Sequence, residues 1–221
     1  LTHERVTYID PSPPFGTAYD DTVDATTFDA SGNVVVGSDA LSASLGGEAR
    51  GLDISATMLA PGAPTWQRLL GAFGNLHRSQ PLGDGETVAG LDLSARVDES
   101  SLFDGITTSP RIETSLSRGI VVASASLGAG YTPPSLADQF FHEGVLVQPN
   151  PNLKPERTSA DLEGRLAIHD AVAGPFVLSG EGSVYRANID GMILWLPDFR
   201  FVWSPSNFDV HRSGWELNGA A

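Results

Sequence analysis

Apolar and polar residues alternate with a period of two along much of this chain. In the segment 89–98 the odd positions are apolar, whereas most even positions carry charged or hydroxyl side chains. The same alternation recurs at residues 111–116, 121–131 and 158–169. Because successive side chains of a β-strand point to opposite faces, this pattern predicts strands that each have one apolar and one polar face.

The alternation assigns charged and aliphatic side chains to different faces of the predicted sheet. In a soluble sandwich the apolar face packs inward, whereas in a membrane barrel it meets lipid and the polar face lines a wet interior. The period alone leaves both arrangements open. The charged set is Asp92, Arg96, Arg111, Glu113, Asp161, Glu163 and Arg165, and the aliphatic set is Leu91, Leu93, Ile112, Leu162 and Leu166.

Other segments are less regular. Residues 66–79 have the apolar spacing of a helix, but Gly71 and Gly74 weaken a helix and favour a strand. A change of phase near Gly51 predicts a bulge or a glycine kink, and the apolar phase also slips near Val184 and Tyr185. The aspartate-rich segment 19–32 lacks the spacing of a calcium loop and is predicted to be a solvated loop.

The predicted connections alternate between long and short. Long polar segments occur at 98–110, after Tyr131 and at 197–207, and short ones lie at 117–120 and 169–175. This alternation is typical of an antiparallel up-and-down transmembrane barrel, which has long outer loops and short periplasmic turns. The sequence therefore predicts an all-β fold of this kind.

Composition removes several classes of function. The formal net charge is −14, with 13 Lys and Arg against 27 Asp and Glu and no basic run, so nucleic acid is not expected as a partner. The absence of cysteine excludes disulfides, thiolate metal sites and cysteine nucleophiles. The five histidines lack metal-ligand spacing and no catalytic motif occurs, so neither an enzyme, a metal nor a cofactor is predicted.

The proline-rich stretch between two predicted strands carries the most specific motif. "GYTPPSLADQF" followed by "NPNLKPERTSADLEGRL" resembles the barrel of TonB-dependent outer-membrane receptors, although Thr132 replaces the usual arginine of the first turn. "VYRANIDGMI" and the triplet Gly214, Trp215 and Glu216 resemble later strands of that barrel. The resemblance covers residues 87–221 well and 41–79 weakly. The residues that match its Asn-Pro-x-Leu-Lys-Pro-Glu motif are Asn150, Pro151, Asn152, Leu153, Lys154, Pro155 and Glu156.

The resemblance implies that residues 1–221 form part of a transmembrane barrel. The chain would supply about nine to eleven strands, roughly half of a barrel of about 22 strands, without the plug domain and the last strands. It would belong to a receptor of the bacterial outer membrane that takes up a scarce nutrient, such as a ferric siderophore, in a TonB-dependent manner. The implied partners are outer-membrane lipid, a small nutrient ligand and TonB, the last through the missing plug.

The motif itself is expected to be architectural. Proline fixes φ and removes a hydrogen-bond donor, so the stretch cannot extend either strand, and Lys154 and Glu156 are expected to pair at the rim. Ligand contacts are expected in long loops on the rigid scaffold. A place in the interfacial aromatic girdle is the alternative for Phe201 and Trp203. The candidate ligand-binding residues are Phe103, His142, Phe199, Arg200, Phe201 and Trp203.

A second function remains open at this point. The chain could be a secreted all-β module that binds carbohydrate or another ligand, using exposed tryptophan and tyrosine side chains as stacking platforms. The two functions make opposite predictions about the apolar face, which a soluble module must bury and a membrane barrel must expose.

Overall fold

The computed structural model describes residues 1–10, 19–83, 85–101, 105–144 and 146–220. These residues form ten β-strands and one short helix. The elements are β1 (Thr2–Asp10), β2 (Tyr19–Gly37), β3 (Leu41–Ala56), β4 (Trp66–Leu82), β5 (Thr87–Ser100), β6 (Ile106–Arg118), β7 (Val121–Thr132), α1 (Leu136–Phe140), β8 (Glu156–Ala173), β9 (Phe176–Pro197) and β10 (Trp203–Ala220).

All ten strands belong to one sheet, in which each strand pairs with the next one along the chain in antiparallel orientation. The predicted all-β, up-and-down antiparallel fold is therefore confirmed, and the number of strands falls within the predicted range. Residues 66–79 lie in β4, so the strand prediction for them is correct.

The connections at the two ends of the sheet differ in length, as the sequence predicted. One end, here called the short-turn end, has the connections 38–40, 83–86, 119–120 and 174–175. In the part of the chain that the structure describes, the opposite, long-loop end has the connections 57–65, 133–155 and 198–202. Gly119 and Gly174 have φ angles of 55° and 64°, which the tight hairpin turns at the short-turn end require.

Two local predictions are wrong. The aspartate-rich segment 19–32 is not a loop but part of β2, where Asp24 and Asp29 pair with Arg5 and Arg50 at 2.6 Å each. Neighbouring strands that carry arginine thus make these aspartates compatible with a strand.

The phase change near Gly51 has a different cause from the predicted one, and the irregularity of β9 lies away from Val184. β3 keeps its register with β2 and β4 through Gly51, where an added Cβ would lie 2.5 Å from the ring of Trp66. The phase change there reflects a ring that covers the glycine, and no bulge occurs. In β9 the irregularity lies at residues 190–191, not near Val184, and Gly191 adopts a φ of 72°.

The pairing register produces two continuous faces. Residues of one row stand side by side on neighbouring strands and share a face. The sequence assignment of charged and aliphatic side chains to opposite faces is confirmed, and the names charged face and apolar face are used below. One row of the apolar face is Leu76, Leu93, Ile112, Leu127 and Leu162, and the adjacent row of the charged face is His77, Asp92, Glu113, Ser126 and Glu163.

The apolar face carries a belt with polar borders. On β5 every side chain of the apolar face from Ala89 to Val97, a stretch of nine residues, is apolar. Thr87 and Glu99 border this belt. At a rise of about 3.4 Å per residue the belt runs about 27 Å along the strand, the length that a tilted strand needs to cross a bilayer. Leu93 at its centre is 37% exposed and Leu162 is 52% exposed, so large aliphatic surface remains uncovered.

Among the described residues, no helix is long and apolar enough to cross a membrane.

The connection 133–155, here called the strap, contains α1 and the first six residues of the Asn-Pro-Asn-Leu-Lys-Pro-Glu motif, whose last residue, Glu156, begins β8. On one side, Ala60 N–H donates to Phe140 O and His142 N–H donates to Met58 O, both at 2.7 Å. On the other side, Gln148 N–H donates to Trp203 O at 2.9 Å. Strands β5 to β8 separate the two anchor points in the sheet. The strap therefore crosses the long-loop end of the sheet and links connections that are distant in the strand order.

A disulfide can test this crossing. Leu59 and Phe141 form an antiparallel bridge whose hydrogen bonds come from the flanking residues. In such a pair the Cα atoms lie about 4.5 Å apart, within the disulfide range of about 4.4–6.8 Å. Leu59→Cys with Phe141→Cys should oxidise spontaneously, as measured by mass spectrometry of linked peptides, since the chain has no other cysteine. Leu59→Cys with Leu178→Cys, at opposite ends of the sheet, should remain reduced, and linkage in this control would contradict the assignment.

Candidate functional site

The turn 198–202 joins β9 to β10 and is organised by one carboxylate. The Oδ1 atom of Asp198 accepts hydrogen bonds from the N–H groups of Arg200 and Val202 at 2.8 and 3.0 Å, and Oδ2 accepts from Arg200 Nε at 2.9 Å. Asp198 N–H donates to Val202 O and Phe201 N–H to Asp198 O, both at 2.9 Å. The N–H of Val202 and the guanidinium of Arg200 together hold the pKa of Asp198 below its usual range.

The closed turn leaves its large side chains in solvent. Phe199 is 91% exposed and Phe201 is 73% exposed. The guanidinium of Arg200 lies 5.6 Å from the ring centroid of Phe199, which is a cation–π geometry. Phe201 adopts a φ of 63°, a backbone conformation that the surrounding hydrogen bonds maintain. The turn thus presents two aromatic rings and a cation on a constrained backbone.

The turn lies far from the apolar belt. On β9 the apolar face changes from Val184 to the polar residues Arg186 and Asn188, and Asn188 Oδ1 accepts a hydrogen bond from His211 Nδ1 at 2.8 Å. From Arg186 to Pro197 the strand continues for about 36 Å at about 3.3 Å per residue. This distance argues against a place for Phe201 and Trp203 in an interfacial girdle, which borders the belt directly.

Two of the predicted loops are shorter than the sequence suggested. β10 begins at Trp203, so the predicted loop from Asp198 to Asn207 shrinks to residues 198–202. The predicted loop from Asp98 to Pro110 shrinks to residues 101–105, because β5 and β6 continue further than expected. Phe103 lies outside the described residues. Polar and proline residues in both segments belong to strand ends rather than to loops.

The structure brings part of the predicted ligand site together. Phe199, Arg200 and Phe201 lie in the turn and Trp203 follows it. The backbone of Trp203 donates to Leu146 O at 2.8 Å, which places the strap along the edge of β10. His142 is exposed but is anchored to the connection 57–65, at the other side of the strap. The predicted set is therefore divided between the two anchor points.

The Asn-Pro-Asn-Leu-Lys-Pro-Glu motif is held by structural contacts. Asn150 Nδ2 donates to Pro205 O at 3.0 Å, and its Oδ1 accepts from Asn152 N–H at 3.1 Å. Leu153 is buried. Glu156 Oε1 accepts from the N–H of Ile193 at 2.6 Å. The expected ion pair with Lys154 is absent from the described part of the chain, because Glu156 binds a backbone group of β9 instead.

Two residues that the sequence did not single out, Asp138 and Asn207, complete these contacts. Asp138 of α1 accepts a hydrogen bond from Trp195 Nε1 at 3.0 Å. The side chain of Asn207 bonds to the backbone of Lys154 and of Gly191. Their partners lie far away in the sequence, so no local pattern marks them.

The charged face contains a partly buried ionic cluster that joins non-adjacent strands. Arg96 Nε donates to Asp98 Oδ2 at 2.8 Å, and the same guanidinium pairs with Glu48 of β3. Gly71 lies between them on β4, where a Cβ would approach both Arg96 Nη2 and Asp98 Oδ1 to 2.6 Å. Asp98 is only 2% exposed. The cluster is therefore a structural tie, and no group of metal-ligating side chains occurs in the described ranges.

Asp198 should control the order of the turn. In Asp198→Ala the N–H groups of Arg200 and Val202 lose their acceptor, and a nitroxide on Phe199→Cys should become mobile in its electron paramagnetic resonance spectrum. The pKa of Asp198 is lowered in the folded protein, so the carboxylate stabilises the turn above pH 3.8, its ordinary pKa. This stabilisation is lost as the pH falls through the pKa of the folded protein. The label should therefore be immobile at neutral pH and mobile only in strong acid. Equal mobility with and without Asp198 at pH 7 would contradict this role.

No family model and no curated protein matches the sequence. Solved structures of TonB-dependent receptors do match its fold. The siderophore receptor PirA from Pseudomonas aeruginosa aligns with 90% of this chain at a TM-score of 0.66 and 15% identity. The copper transporter OprC aligns with 96% at a TM-score of 0.66 and 17% identity. The Serratia marcescens hemophore receptor HasR, solved with its hemophore HasA and heme, aligns with 92% at a TM-score of 0.64 and 14% identity.

The chain spans less than half of each of these proteins, namely 37% of PirA, 37% of OprC and 40% of HasR. At such low identity the likeness concerns the fold. The chain therefore has the fold of part of the β-barrel of TonB-dependent outer-membrane receptors.

Proposed function

We propose that this chain is part of the barrel of a TonB-dependent receptor that takes up a scarce nutrient across the bacterial outer membrane. The observation that carries the proposal is the apolar belt of the sheet, nine residues long on β5 and bordered by Thr87 and Glu99. A strand of about 9–11 residues crosses a bilayer. The motif at residues 150–156 and the fold likeness to known receptors support the same function.

The two faces have different partners in this proposal. The apolar face contacts outer-membrane lipid, and the charged face lines the wet interior of the completed barrel. Coupling to TonB would pass through a plug domain inside that barrel. Residues 1–221 would thus form one wall of the transport path.

The turn 198–202 is the proposed ligand contact at the outer side. Phe199, Arg200, Phe201 and Trp203 combine aromatic and cationic side chains of the kind that binding surfaces favour. Their hydrogen-bonded backbone reduces the entropy that a ligand must remove. His142, in the strap, and Phe103, which lies outside the described residues, are further candidates.

A receptor is favoured over the alternatives. A secreted all-β module must bury its apolar face, yet Leu162 and Leu217 are 52% and 72% exposed. The structural neighbours are named as receptors and a transporter, which supports uptake rather than catalysis. Their names give siderophore, copper and heme as cargo of related folds, and the ferric siderophore is our first candidate for this protein.

A charge in the belt should prevent membrane assembly. Leu93 stands at the centre of the belt between Leu76 and Ile112. Leu93→Arg should cost about 2–4 kcal/mol and reduce the heat-modifiable form of the full-length protein on gels. Ser94→Arg changes the next residue, on the charged face at the same depth, and should assemble normally. A full-length protein that stays monomeric in water without detergent would contradict the membrane placement.

Uptake tests the function directly. Cells that express the full-length protein should take up one of three cargoes better than cells without it: an iron-55 ferric siderophore, copper(II) or heme. Arg200→Ala and Trp203→Ala should lower that uptake at least several-fold while leaving assembly unchanged. Arg118→Ala, at the short-turn end, is the matched control and should leave uptake intact. Normal uptake by both Arg200→Ala and Trp203→Ala would exclude the turn from the ligand site.

A further inference from the structure

The tip of the β9–β10 hairpin projects beyond its neighbouring strand. Pairing of β8 with β9 ends at Arg157 opposite Asp190, whereas pairing of β9 with β10 continues to Pro197 opposite Trp203. Residues 191–208 therefore form a two-stranded extension that carries the turn 198–202. An isolated two-stranded hairpin is marginally stable in water, so this tip needs support from another element.

The strap supplies that support on the side of α1. Ser135 caps α1 by accepting from Asp138 N–H at 3.0 Å, and its hydroxyl donates to Asp138 Oδ2 at 2.8 Å. The other carboxylate oxygen of Asp138 accepts from Trp195 Nε1 at 3.0 Å. The ring of Phe141 lies 5.4 Å from that of Trp195. The capped helix thus holds an acceptor in place for a side chain of the hairpin tip.

Asn207 makes the second attachment. Its Oδ1 accepts from Lys154 N–H at 2.9 Å, and its Nδ2 donates to Lys154 O at 2.9 Å and to Gly191 O at 2.6 Å. One amide side chain therefore connects the strap, β10 and the irregularity of β9 where the projecting tip begins. These three bonds need two donors and one acceptor, which an amide side chain supplies.

We propose that Asp138 and Asn207 are positioning residues that hold the projecting hairpin tip against the strap and so present the turn 198–202 in one orientation. Both act at a distance from the turn, through the strands that carry it. The positioning stands on the contacts above, and only its use in ligand recognition rests on the function proposed for the turn.

Tryptic cleavage after Arg200 measures the order of the tip without any ligand. Arg200 and Arg118 have similarly exposed side chains, 63% and 66%, at opposite ends of the sheet. Limited digestion of the assembled full-length protein in detergent, followed by mass spectrometry, gives the rate at each site. Asp138→Ala and Asn207→Ala should each raise cleavage after Arg200 about tenfold, because local opening follows the lost hydrogen bonds, and should leave cleavage after Arg118 unchanged.

Two further variants separate positioning from general destabilisation. Asp138→Asn keeps an oxygen acceptor for Trp195 Nε1 and should cleave at a rate close to that of the unchanged protein. Asn188→Ala removes an exposed amide of β9 that bonds to His211 instead of the strap, and it should have no effect at either site.

The outcomes that overturn the proposal are distinct from a failed uptake experiment. Unchanged cleavage after Arg200 in both alanine variants would show that the tip does not depend on these residues. Equal acceleration at Arg200 and Arg118 would assign them to global stability. Asp138→Asn behaving like Asp138→Ala would exclude the bond to Trp195. If Arg200 has no role in ligand binding, the cleavage rates after Arg200 and Arg118 would still test the positioning proposal.

Discussion

The backbone hydrogen bonds that join neighbouring strands from β1 to β10 are the interaction on which the rest of the structure depends. They place particular residues side by side and so convert an alternation within each strand into two continuous faces. They also satisfy the backbone groups of the strands between β1 and β10. Within lipid an unpaired N–H or C=O costs several kcal/mol, so only such paired strands could carry the apolar belt into a bilayer.

The sheet tolerates a strongly acidic chain because arginine side chains are distributed along its strands. Arg5, Arg50, Arg96 and Arg165 each pair with a carboxylate on another strand. The ion pairs of Arg96 need a glycine at position 71, since a side chain there would meet Arg96 and Asp98. The acidic surplus remains on polar surface, which fits a hydrated interior for the charged face better than a dry one.

Rigidity and exposure are combined at the long-loop end. The turn 198–202 exposes Phe199 and Phe201, while Asp198 fixes its backbone and the strap supports the strands that carry it. The strap also bonds to the connection 57–65, and strands β5 to β8 lie between that connection and the β9–β10 hairpin. The proline-rich motif therefore makes structural contacts with β9 and β10, and the recognition that we propose belongs to the turn 198–202.

Local periodicity predicted β5 to β8 and their two faces, and the turn residues predicted the alternation of connection lengths, because a strand repeats every two residues and a tight turn needs glycine. The sequence also marked the motif at residues 150–156 and the exposed aromatic side chain of Phe199. It misplaced strand ends at Ser100 and Trp203, because pairing with a neighbour extends a strand through residues that favour loops. It could not reveal Asp138 opposite Trp195 or Asn207 opposite Lys154, since only the tertiary structure brings together residues more than 50 positions apart.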